Sequence, residues 1–73
     1  MGIRVIALDK NKFKTARKNA GMTQQQLADA SGVNIRQIRR VELGTSDAGN
    51  MSARNLLSIA DILEVDPREL IEK

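Results

Sequence analysis

A glycine splits the stretch from Met22 to Gly44 into two short amphipathic halves, and this split constrains the chain more than any other feature. Thr23 followed by Gln26 makes a capping box: the hydroxyl takes one orphan helix N–H, and the glutamine side chain reaches back to another. Met22 and Leu27 flank that cap at staple spacing, and Leu27, Ala28 and Ala30 give the first half a small apolar face. Gly32 supplies the positive φ that a sharp turn needs. The device then repeats. Asn34 is the cap, Gln37 stands in the box position, and Val33 and Ile38 are the staple. Ile38 and Val41 face inward one turn apart, and Gly44 stops the helix as a left-handed cap. Arg36, Gln37, Arg39 and Arg40 are left outward on neighbouring rows. Residues 23–43 are therefore expected to form two helices across a bounded turn, the second with a basic outer face.

Three more helices follow from the same rules. The first runs from Lys10 to Ala20, with Asp9 as cap, Leu8 and Phe13 as staple and Gly21 as stop. The fourth runs from Ala53 to Leu63 behind Ser52, with Met51 and Leu56 as staple and Leu56, Leu57, Ala60 and Leu63 at helical spacing. The fifth is short, Pro67 to Glu72, with Asp66 and Glu69 as capping box and Val65 and Leu70 as staple. Residues 45–50 read as a loop from their Ser, Asp, Gly and Asn. The expected fold class is all-α, a compact five-helix bundle forming one domain over residues 1–73, with residues 1–8 as an N-terminal extension. Two readings of Ile3–Leu8 stay open. Its β-branched residues favour a short strand, which needs a partner such as the same segment of a second copy. Alternatively, Ile3, Ile6 and Leu8 pad the bundle. Ile71, beside Leu70, is expected to be exposed, which makes the fifth-helix region the other candidate surface for joining two copies.

A chain of 73 residues has room for one small core. Cysteine and histidine are both absent, which removes disulfides, thiolate sites, the commonest general base and the commonest metal ligand. Ser31, Ser46, Ser52 and Ser58 have no histidine to activate them, and there is no phosphate-cradling glycine loop. The expectation is a non-enzyme without cofactor or metal. The apolar runs are too short to span a bilayer and the start carries no signal-peptide pattern, so a cytoplasmic, nucleoid-associated protein is expected. The formal charge of +3 is unevenly spread. Up to Gly44 nine basic residues face three acidic ones; from Thr45 onward three face six. A basic half suits a polyanion. Phe13 is the sole aromatic and belongs to the core. Binders of RNA and single strands stack bases on several aromatics, so the polyanion indicated is duplex DNA.

The run from Phe13 to Leu70 resembles the helix-turn-helix domain of phage repressors and Cro proteins, the xenobiotic-response-element family with the lambda-repressor-like fold. Its marks are Arg17 before Gly21-Met-Thr-Gln24, then Leu27-Ala28, Gly32-Val33, and Ile38 with Val41-Glu42-Leu-Gly44. Leu56-Leu57-x-Ile59-Ala60 and Leu63-x-Val65 follow. The resemblance implies that the third helix lies in the major groove and the second crosses the backbone, the docking typical of this family. By position it implies base contacts from Asn34, Ile35, Arg36, Gln37 and Arg40. Phosphate contacts are implied for Gln24 and Arg39, with Thr45, Ser46 and Arg54 as further candidates, and Arg17 and Glu42 are implied to form a partly buried ion pair. Two departures stand out: Leu43 replaces the Asn frequent before the helix-ending glycine, and the following loop is long and lacks basic residues. The implied role is sequence-specific binding of double-stranded DNA as a prokaryotic or phage transcriptional regulator, a homodimer on a palindromic operator. The alternative is a protein-interaction module of the same fold, such as an antitoxin, with a protein partner. No membrane partner is expected.

Overall fold

In the computed structural model, which describes residues 11–72, four α-helices surround one core: α1 (Lys12–Asn19), α2 (Gln24–Ser31), α3 (Ile35–Leu43) and α4 (Ala53–Leu63). Single 3-10 turns follow at Ala48–Asn50, within the stretch expected to be a loop, and at Pro67–Leu70. The expected fifth helix is thus a four-residue 3-10 turn. No strand occurs among the described residues, and the Ile3–Leu8 segment lies outside them.

The core explains the element order. Phe13 from α1, Leu27 from α2, Ile38 from α3, Ile59 from α4 and Leu70 from the final turn are fully buried. Each such side chain contributes roughly 1.5–3 kcal/mol relative to exposure. α2 packs against both α3 and α4, while α1 packs against α3 and the final turn. Ile71 is half-buried against this core, contrary to the expectation of exposure, because the backbone beyond Leu70 is held down. Glu72 N–H donates to Asp47 Oδ1 (3.1 Å), and Glu72 Oε2 accepts from Lys12 N–H (2.8 Å) at the start of α1.

The caps show where local rules win. Thr23 and Gln26 form the full reciprocal box, and Ser52 accepts from Asn55 N–H. Three expected caps differ. α1 starts behind Asn11, whose Oδ1 accepts from Lys14 N–H, rather than behind Asp9, which with Leu8 lies outside the described residues. Asn11 also donates to the carbonyls of Val41 (2.8 Å) and Glu42 (3.3 Å), a job that a carboxylate cannot do. Asn34 caps α3 by accepting from Arg36 N–H, but Gln37 turns to α4 instead of closing a box. Asp66 accepts from Arg68 N–H and takes the Arg68 guanidinium, so Arg68 rather than Glu69 answers it.

Candidate nucleic-acid interface

α3 sorts its residues cleanly. Ile38 and Val41 are buried and Ile35 is half-buried against the core, whereas Arg36, Arg39 and Arg40 are exposed. Leu43, one and two turns further on, lies on the same outer face and is 77% exposed. None of the three guanidiniums makes a hydrogen bond or ion pair among the described residues. The ends of α3 are fixed. Asn34 caps the start, and Gly44 closes the other end at φ +84°, with Thr45 N–H and hydroxyl both donating to the Arg40 carbonyl. The three arginines therefore project from a short rod held at both ends.

The first turn of α2 sits beside this rod. Arg17 Nε and one terminal nitrogen donate to the two Glu42 oxygens at 2.7 and 2.9 Å, a fork that crosses from α1 to α3. The two side chains are only 10% and 4% exposed. The remaining terminal nitrogen of Arg17 donates to the Met22 carbonyl just before α2. The hydrogen bond to Glu42 raises the guanidinium pKa despite the opposing effect of burial, so Arg17 stays charged. Gln24 Nε2 donates to Glu42 Oε1 at 3.0 Å, which ties the α2 N-terminus to the same carboxylate and leaves one amide proton of Gln24 unspent.

The structure gathers Gln24, Asn34, Arg36, Gln37, Arg39 and Arg40 around the α2–α3 pair. Ile35 is turned partly to the core, and the Thr45 hydroxyl is used inward on the Arg40 carbonyl. Ser46 is half-buried in the connection after α3, and Arg54, in the first turn of α4, is exposed and has no partner among the described residues. Sequence reasoning passed over Asn55, which reaches Gln37 across the α3–α4 packing (3.2 Å). No spacing within either helix signals that contact.

With this geometry, residues 13–70 match the family model described as helix-turn-helix. The chain belongs to the helix-turn-helix family. Its phage-repressor and Cro resemblance holds, and the family's turn is the one at Gly32, where α2 ends at φ +78°. Among solved structures the chain is similar to the restriction-modification controller protein C.AhdI from Aeromonas hydrophila. The two are 33% identical, with a TM-score of 0.70 over 89% of this chain and 97% of that one. No curated protein matches the chain. Among the described residues there is no cluster of metal-ligating side chains, and no helix is long and apolar enough to cross a membrane.

Proposed function

We propose that this helix-turn-helix protein regulates transcription by laying α3 in the major groove of duplex DNA, with the start of α2 on the phosphate backbone. The observation that carries this reading is the set of exposed guanidiniums at Arg36, Arg39 and Arg40, none of them spent on another of the described residues. Arg17 and Arg68, by contrast, are each paired with a carboxylate. An arginine fork matches the N7 and O6 acceptors of guanine, which suits Arg36 and Arg40 to bases. Asn34, Ile35 and Gln37 complete the base-facing set. Arg39 lies further round the helix and suits phosphate, with Gln24, Thr45, Ser46 and Arg54 as the other backbone contacts. A nonenzymatic, homodimeric regulator on a palindromic operator is the form proposed, because one nine-residue helix reads only a few base pairs. The 33% identity to a restriction-modification controller protein makes control of such a system the context to test first.

The test is binding to duplex DNA. Arg36→Ala and Arg40→Ala are each expected to cost roughly 1–3 kcal/mol and to relax preference at one base pair. Gln24→Ala is expected to weaken all sequences equally. The logarithm of the binding constant should fall by about 0.9 per neutralised phosphate for each decade of salt. A folded double arginine variant that bound the selected site as tightly as the wild type would overturn the α3 reading. A flat salt dependence would favour the protein-partner alternative.

A further inference from the structure

The polar side chains along α3 are not equally free. Gln37 is half-buried where α3 meets the first turn of α4, and its Oε1 accepts from Asn55 Nδ2 at 3.2 Å. Asn55 is itself held, since its backbone N–H donates to Ser52 Oγ in the α4 cap. A glutamine amide carries an acceptor at one end and a two-proton donor at the other. With the carbonyl turned to α4, the amino group is the end left for another molecule. No hydrogen bond among the described residues uses it.

We propose that Asn55 is a positioning residue that fixes the polarity with which Gln37 meets DNA. This rests on the reading of α3 as the groove-facing helix. An unconstrained glutamine pairs best with adenine, giving an N–H to N7 and accepting from the N6 amino group. Here the carbonyl is turned to α4, so Gln37 presents its amino group, a donor, to the groove. Guanine offers two acceptors, N7 and O6, on one edge; thymine offers one, O4; adenine sets a donor beside its single acceptor, and cytosine presents a donor. Gln37 held this way selects guanine against adenine and cytosine. A residue on α4 that touches no base thereby specifies one base pair of the operator.

The experiment is selection from random duplex DNA with the wild type and three variants of the full chain. Gln37→Ala identifies the base pair by losing preference there. At that pair the wild type is expected to favour guanine roughly tenfold or more. Asn55→Asp leaves only acceptors at that position, so Gln37 keeps its bond by turning over, donating its amino group and showing its carbonyl. The same pair should then shift to adenine or cytosine, while overall affinity falls with the added negative charge. A carboxylate in the first turn of α4 suits the helix dipole, and thermal unfolding verifies that the variant folds. Gln37→Glu turns an acceptor outward while leaving Asn55 in place, and it should produce the same shift. A wild type that prefers adenine there overturns the proposal. So does an Asn55→Asp protein that keeps guanine at that pair, or that changes a different pair. A wild type that selects no sequence overturns the α3 reading instead.

Discussion

Arg17 and Arg36 are the same residue type put to opposite uses, and burial separates them. Arg17 is 9% exposed and spends its donors on Glu42 and on the Met22 carbonyl. Removing it leaves the Glu42 carboxylate buried and short of a partner, so Arg17→Ala should cost about 3–5 kcal/mol in denaturant unfolding. Arg17→Lys should recover only part of this, because an ammonium cannot make the fork. Arg36→Ala should leave stability within about 0.5 kcal/mol, since its side chain is exposed and has no partner among the described residues. Asp66 and Arg68 give a surface counterpart. The hydrogen bonds from Arg68 lower the Asp66 pKa from 3.8 to about 2. A depressed folded pKa means that the pair's contribution is present above pH 4 and is lost as pH falls toward 2. An NMR titration should place the Asp66 midpoint near 2 in the wild type and higher in Arg68→Ala, but still below 3.8, because alanine keeps the backbone N–H that donates to Asp66. Both side chains are exposed to solvent, which makes the accompanying change in stability small.

At the scale of elements, three helices end on a residue with left-handed backbone, and only two of those residues are glycine. Gly32 and Gly44 close α2 and α3 at φ +78° and +84°, and Glu64 closes α4 at +58°. A Cβ built on Gly32 meets nothing within 4 Å, so the cost of a side chain there is purely conformational. Gly32→Ala should lose about 1–2 kcal/mol, and Gly32→Asn less. Glu64→Gly should gain up to about 1 kcal/mol, the relief of the left-handed penalty less the added freedom of the unfolded chain. Thermal unfolding of the three variants tests both signs. Opposite effects at two caps of like geometry would separate backbone strain from packing. The same contrast explains what was legible in the sequence. The turn at Gly32, the Thr23–Gln26 box and the extent of α4 depend on residues a few positions apart, and all could be read directly. α1 starts behind Asn11, whose side chain also reaches the end of α3, thirty residues away, a contact that no local rule signals. Gln37 failed as a box partner for the same kind of reason, because Asn55 on another helix competes for it. The outward face of α3 was readable as charge. Gln24 sharing Glu42 with Arg17 was not, because it requires three elements to meet.

The whole molecule presents one α3, the helix proposed to face the groove, and the proposed dimer must present two in fixed register. A two-fold pair reads half-sites about one helical turn apart, so both recognition helices meet the same face of the duplex. This gives a test that does not depend on knowing which surface joins the copies. Inserting about five base pairs between the half-sites turns one of them to the opposite face. Binding should then fall to the level of a single half-site. Inserting about ten restores the phase but stretches the span, so a rigid pair should recover little. Two monomers binding independently would show no loss with either insertion, and that result would overturn the dimer. Deleting residues 1–7 and weighing the protein in solution, with and without the palindromic site, then asks whether the Ile3–Leu8 segment joins the copies. If it does, the truncated chain should be a monomer that binds the paired site no more tightly than the single one. Its α3 should keep the same base preferences, because α3 packs on α2 and Gln37 bonds to Asn55 on α4.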